Sequence, residues 1–171
     1  MLTAYISDSG DKRDARRLLA LAVREIYGIP MPEIAKDANG KPFFPARPDI
    51  HFSLSHTRTH VMAILSDALC GCDVETVRPV REAVAARVCA PEELTCFDFF
   101  SCWVLKESFL KVTGAPRPLD TLRFTRRDGR IVTPDPAIAA RLYEVAGCAA
   151  AVCGAGPLPE TLILVPANNL T

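Results

Sequence analysis

Apolar positions recur two apart in some stretches of this chain and three to four apart in others, and the two periods divide it into elements. LTAYIS near the start reads as a strand. From Asp11 to Tyr27, the residues Ala15, Leu18, Leu19, Ala22, Val23 and Ile26 fall at helical spacing with several arginines on the other face, and Gly28 and Pro30 end the helix. A loop rich in Pro, Asn and Gly follows. Then come HFSLSH, VMAILS and CGCDVE, three short runs separated by polar or glycine-containing turns, which predict a small antiparallel sheet. Past Pro79 the period turns helical. Arg81 to Val88 is one segment; a second opens on APEEL, whose Pro and two Glu suit a first turn, and runs through FDFFSCWVLKESFLKV to Gly114. The last third returns to strands: LRFTRRDGRIVT is a hairpin turning at Asp128-Gly129, and RLYEVAG, CAAAVCG and TLILVP follow it. This order predicts an α+β fold, either two similar α+β halves meeting near Glu75 or one continuous sheet domain.

Composition narrows the partners. Lys plus Arg equals Asp plus Glu at 20 each, so no global charge draws nucleic acid or an anionic membrane to the protein. No apolar run approaches the roughly 20 residues of a membrane span. The opening MLTAYISDSGDKRD lacks the basic, apolar and small-residue succession of a secretory leader, so the expected location is cytoplasmic. Seven cysteines, an odd number set mostly among apolar neighbours and without a CxxC, fit reduced buried thiols better than disulfides or a zinc site.

Three constellations carry candidate chemistry. Asp73 and Glu75 lie two apart in GCDVE and share a strand face, while Cys72 and Val74 point to the core. Side by side the two carboxylates repel unless a cation lies between them, and a hard divalent ion such as Mg²⁺ suits that arrangement, although DxE alone is also an ordinary exposed acidic face. In CWVLKESFLKVTG, Trp103, Glu107 and Lys111 share a helical face, with Lys106 displaced by about 100°. Apolar residues surround much of that helix, which puts Glu107 and Lys111 at a partly buried cleft, where a carboxylate needs a partner. In HFSLSHTRTH, alternation turns Phe52 and Leu54 inward, Ser53 and Ser55 outward, and leaves His56 at the strand end. A serine-histidine hydrolase would need a third group and an oxyanion hole, and no GxSxG elbow is present. A phosphate-facing cluster is more economical. Together the three suggest Asp73, Glu75 and Glu107 around one metal, with Lys111 and His56 directed at a phosphate.

HFSLSHT, then GCDVE, then WVLKESFLKVTG, in that order, resembles the three signature motifs of the 4′-phosphopantetheinyl transferases. NGKPFFP, from Asn39, also resembles the upstream GKP element of the pseudo-dimeric, Sfp-like type. The likeness runs from about the Asp11 helix to the LRF strand. It implies two α+β halves related by a pseudo-twofold, spanning 1–75 and 76–171, in a monomer with the active site between them. It further implies transfer of the phosphopantetheine arm of coenzyme A to a serine of an acyl or peptidyl carrier protein, with release of 3′,5′-ADP. By motif position Asp73, Glu75 and Glu107 would hold Mg²⁺, with Mn²⁺ left open, and Glu107 would act as base. Lys111 and His56 would contact the CoA phosphates, with Ser55 beside them. Gly40, Lys41 and Pro42 would lie near the adenine, Arg17 at the 3′-phosphate, and Lys106 at the cleft edge, supporting or facing CoA. Arg78, Arg81 and Arg87 are candidate carrier contacts. Cys72 and Ser53 depart from the family's usual Ile or Val and Asn, and only about 30 residues separate GCDVE from Glu107. Two other readings use the same residues: a CoA- or carrier-binding module without catalysis, and a metal-dependent phosphohydrolase.

Overall fold

The computed structural model describes residues 1–170. Its first part runs β1 (Leu2–Ser7), α1 (Asp14–Tyr27), β2 (Ala35–Lys36), β3 (Pro42–Phe43), β4 (His51–His56), β5 (Val61–Ser66) and β6 (Cys70–Thr76). Three helices follow: α2 (Glu82–Val88), α3 (Pro91–Leu94) and α4 (Phe99–Thr113). The remainder is β7 (Thr125–Arg127), β8 (Arg130–Val132), β9 (Ala139–Val145), β10 (Cys148–Gly154) and β11 (Ile163–Leu164). One sheet has the order β11-β1-β5-β4 and the other β6-β10-β9, with β2-β3 and β7-β8 as separate pairs. All pairings are antiparallel except β1 with β11, which is parallel.

The apolar patterns explain the layering. Leu18, Leu19, Ala22 and Val23 of α1 cover one face of the first sheet, packing with Tyr5, Phe52, Val61, Ala63 and Leu65. The opposite face, Ala4, Ile6, Met62 and Ile64, packs on Cys70, Cys72, Val74, Ala150 and Val152 of the second sheet. Alternate residues of β5 therefore meet helix and sheet, and all six are buried; VMAIL is a continuous apolar run because both faces are covered. The far face of the second sheet presents Ala149 and Ala151 to Leu105, Val104 and Cys102 of α4. Small residues there let the helix approach closely. Closest is Gly71, where a Cβ would overlap the Ser108 carbonyl oxygen and lie 2.7 Å from the Val112 nitrogen.

Three expectations change. HFSLSH, VMAILS and CGCDVE do not form one antiparallel sheet: β4 and β5 pair, but β6 leaves to join β10. The two sheets meet where β4 and β6 run side by side, and serine hydroxyls replace the backbone ladder. Ser53 Oγ accepts from Cys72 N and Ser55 Oγ from Val74 N, each at 3.2 Å. Ser53 and Ser55 are accordingly buried at this seam, not turned outward. The helical segment from APEEL to Gly114 is also divided. Asp98 caps α4 by accepting from Ser101 N at 3.0 Å, so the chain breaks between Leu94 and Phe99.

Beneath α4 lies an ion pair with both side chains fully buried. Lys106 Nζ donates to Glu93 at 2.7 Å, to Val88 O at 2.6 Å and to Leu119 O at 3.1 Å. Glu93 also accepts from Ala90 N at 2.8 Å and Phe124 N at 2.9 Å. Five hydrogen bonds thus bind α2, α3, α4 and the strand-ward chain after it to two charges, a geometry in which losing one partner strands the other.

Two stability outcomes follow. Lys106→Met should cost about 3–5 kcal/mol in urea unfolding, and adding Glu93→Gln should recover part of that loss; a double variant less stable than Lys106→Met would contradict a charge-based origin. Gly71→Ala should cost about 1–3 kcal/mol of stability in urea unfolding, whereas Gly129→Ala, with open space around it, should act only through its backbone conformation.

Candidate active site

The candidate site is the line of contact between β6 and α4. Gly71 and Asp73 share the β6 face turned to the helix, so the same closeness that Gly71 permits brings Asp73 against the side chains of α4. Asp73 is buried, and its Oδ1 accepts from Lys111 Nζ at 2.6 Å and from Ser55 Oγ at 2.7 Å. Ser55 therefore joins the seam to the site, accepting from Val74 N while donating to Asp73. Burial alone would depress the Lys111 ammonium, but the charge of Asp73, their hydrogen bond and the charge of Glu107 outweigh it, and its pKa is raised.

Glu107 lies one turn before Lys111 on the same helical face. It is half-buried, and among the described residues its carboxylate makes no ion pair or hydrogen bond. Burial first, then the neighbouring charge of Asp73, raises its pKa above the ordinary carboxylate value, against the opposing pull of Lys111. Glu75 is engaged differently: its Oε1 accepts from Arg78 Nη1 at 2.8 Å and from Thr76 N at 3.0 Å. Arg78 in turn lies over the Phe100 ring, 5.3 Å from its centroid. Among the described residues no three His, Cys, Asp or Glu side chains are gathered as a metal-holding group. Of the three expected carboxylates, Asp73 and Glu107 feel one another's charge, while Glu75 is held by Arg78. Hard oxygen donors, one of them unpartnered and strained by repulsion, fit a divalent cation of the Mg²⁺ kind.

Beside this line is a cavity of about 260 Å³, lined by Gly40, Lys41 and Pro42, by Phe52, Ser53 and Leu54 of β4, and by Leu110, Lys111 and Gly114 at the end of α4. The GKP, LSH and lysine-helix stretches, distant in sequence, thus share one hollow. Gly40 has φ 84°, a left-handed conformation that suits glycine in the turn between β2 and β3. His56 is exposed at the end of β4.

Three lysines that look alike in the sequence have separate surroundings. Lys111 reaches Asp73. Lys41 lends its stem to the cavity, but its ammonium turns to the last carbonyls of α4, donating to Val112 O at 2.7 Å, to Lys111 O and to Cys70 O at 3.0 Å. A cation on the C-terminal carbonyls of a helix stabilises and fixes that end, and burial lowers the Lys41 pKa. Lys106 is not at the cleft edge: it is wholly buried with Glu93, because its position about 100° from Glu107 faces the helix layer rather than β6. Arg17, on the first turn of α1, pairs with Asp14 at 2.7 Å and is not part of the cavity wall. From the sequence Glu93 has no role, and Arg78 and Ser55 have others, a carrier contact and a place beside the CoA phosphates; their engagement with Glu75 and with the seam comes from the structure. Only the paired Glu residues of APEEL hinted at the first, and they read as a helix start.

Comparison with known proteins bears on this arrangement. The family described as the 4′-phosphopantetheinyl transferase superfamily matches residues 69–145, the stretch that holds β6 and α4. The chain is 33% identical over 132 residues to 4′-phosphopantetheinyl transferase psf-1 of Bacillus pumilus, an alignment covering 67% of this chain and 57% of that protein. It is 33% identical over 150 residues to 4′-phosphopantetheinyl transferase Sfp of Bacillus subtilis (strain 168), covering 77% and 67%. With 4′-phosphopantetheinyl transferase ffp of Bacillus subtilis it shares 29% over 181 residues, covering 90% and 81%. The chain spans less than two thirds of psf-1 and 61% of another Bacillus subtilis transferase. With the signature stretches gathered on one line of contact and a third of residues shared across two thirds of Sfp, the chain belongs to the 4′-phosphopantetheinyl transferase superfamily, among its Sfp-like members.

Proposed function

We propose that the protein transfers 4′-phosphopantetheine from coenzyme A to a serine of an apo acyl or peptidyl carrier protein, releasing 3′,5′-ADP. The observation that carries this reading is the convergence of Asp73, Glu107 and Lys111 beside a cavity walled by the GKP and LSH stretches. In this reading the chain has two α+β halves, 1–75 and 76–171, related by a pseudo-twofold with the site between them, and each half lends the other a strand: β6 joins β10 and β11 joins β1.

The chemistry asks for attack by a serine hydroxyl on the β-phosphorus of a pyrophosphate. Glu107 is suited to take the proton: burial and the charge of Asp73 raise its pKa, which makes it a stronger base than an exposed glutamate. Lys111, charged throughout the working range, would set its ammonium against phosphate oxygens and the departing ADP. Asp73 holds Lys111 in place and is itself fixed by Ser55. His56 would add a donor at the open end, and Gly40, Lys41 and Pro42 would wall the adenine side, with Arg17 at the 3′-phosphate if it leaves Asp14. A divalent cation such as Mg²⁺, held by Asp73, Glu107 and, on release from Arg78, Glu75, would supply positive charge against the developing charge on the pyrophosphate. For the carrier, the segment after β6 exposes Val77, Val80 and Val84 beside Arg78, Arg81 and Arg87, apolar contact area within a basic rim. No helix of the described residues is long and apolar enough to cross a membrane.

Intact-mass spectrometry of an apo carrier protein incubated with the protein and CoA tests the reading directly. The carrier should gain one phosphopantetheine with Mg²⁺ and none with excess EDTA, and Glu107→Gln should slow transfer about 100-fold or more. CoA binding with every apo carrier left unmodified would instead identify a binding module, and CoA breakdown without a carrier would identify a hydrolase.

Stability in EDTA gives a second test with no turnover in it. Because folding raises the Glu107 pKa, its contribution to stability is intact below the unfolded value and is lost as pH rises through the folded one. Glu107→Gln should therefore melt a few degrees above the parent at pH 8, with the gain vanishing below about pH 4. A gain that does not change with pH would dismiss charge repulsion as its cause.

A further inference from the structure

Glu75 is turned away from the two carboxylates it would join on a cation. Its Oε1 accepts from Thr76 N at 3.0 Å and from Arg78 Nη1 at 2.8 Å, so the side chain curls back along its own chain. The Glu107 pKa answers to the charges of Asp73 and Lys111 and not to that of Glu75. Among the described residues, no third carboxylate is gathered with Asp73 and Glu107. To share a cation with them, the Glu75 carboxylate must turn out of its bonds with Thr76 and Arg78.

Arg78 does not depend on Glu75 to stay in place. Its guanidinium lies over the ring of Phe100, a buried residue in the first turn of α4, and Nη1 also donates to Thr76 O at 3.1 Å. Exposed Val77, Val80 and Val84 flank it. From Glu75 to Arg87 the chain carries three arginines and two glutamates, Glu75 and Glu82. While Glu75 faces Arg78, that guanidinium is matched within its own pair. With Glu75 drawn onto a cation, all three arginines stand against Glu82 alone, on a surface that is otherwise apolar.

We propose that Arg78 is a positioning residue with two alternating partners. It holds Glu75 out of the acidic site until a divalent cation claims that carboxylate, and the freed guanidinium then receives a carboxylate of an incoming acidic carrier protein. Cation and carrier thereby bind with positive coupling, and each strengthens the other by the same factor. Because the pair is largely exposed to solvent, that factor is several-fold rather than many orders of magnitude, and it shrinks as salt rises. An arginine and a glutamate three apart can form a mere surface pair. Such a pair would leave carrier binding indifferent to the cation. The carrier part of the proposal rests on the transferase reading, whereas the hold on Glu75 rests only on the acidic site.

Two measurements without turnover test it on the full chain. Mn²⁺ affinity, read by water-proton relaxation with CoA present, should rise about threefold in Arg78→Gln. Binding of a labelled apo carrier whose acceptor serine is replaced by alanine, read by anisotropy at fixed ionic strength, should tighten about threefold when Mg²⁺ is added to the parent. In Arg78→Gln it should not respond to Mg²⁺, and Arg78→Lys should restore most of the response. Equal Mn²⁺ affinity in parent and Arg78→Gln would overturn the hold on Glu75. Carrier binding that tightens with Mg²⁺ alike in both chains would overturn the exchange of partners while leaving the transferase reading intact. A carrier that binds neither chain under any condition would overturn the carrier part together with that reading, and the Mn²⁺ comparison would still decide the hold.

Discussion

How near α4 can come to β6 is fixed at Gly71, where any side chain would strike the backbone of the helix at Ser108 and Val112. With that separation set, Lys111 reaches Asp73, and Glu107 lies close enough to Asp73 to sense its charge. Ala149 and Ala151 of β10, small residues in the same core cluster, continue the packing of the helix along the neighbouring strand. The chemistry of the site is thus a consequence of packing. Carboxylates and lysines placed on a looser interface would be solvated, whereas here the close contact raises the Glu107 pKa first by burial, and raises that of Lys111 through the charge of Asp73 in spite of burial.

Around that contact, the fold fixes each end of the helix by a different means. Asp98 closes the N-terminus, and the Lys41 ammonium holds the C-terminal carbonyls from a loop before the first sheet is complete. Lys106 with Glu93 secures the side away from β6. The seam serines fix the strand beneath. A helix pinned at both ends and on its back has little freedom to swing Glu107 and Lys111 away, which is the preorganisation that a site of electrostatic character requires.

Much of this was legible in the residues, and the limits of that legibility are physical. Strands β1, β4, β5, β6 and β10 and the helices α1 and α2 follow from period and punctuation, because each is amphipathic or bounded by turn residues. The partner of β6 was not legible, since alternation fixes which face is buried but not which edge is paired. For the same reason Ser53 and Ser55 read as solvent-facing: polar residues at an edge and polar residues at a seam leave the same pattern. Motif order brought Asp73, Glu107 and Lys111 to one site, but the engagement of Glu75 with Arg78 depends on a loop path that period does not encode. Lys106 was misplaced because a buried lysine is recognisable only from its counter-charge, and Glu93 lies thirteen positions away on another helix.

The parallel pairing of β1 with β11 bears on how the chain is made. Tyr5 and Ile6 leave the ribosome 158 residues ahead of their neighbours Ile163 and Leu164. Until then one margin of the first sheet is uncovered, and β6 likewise waits for β10. A nascent chain therefore carries these strand edges unpaired until the later strands arrive, an exposure to aggregation that a fold of sequentially adjacent hairpins would escape.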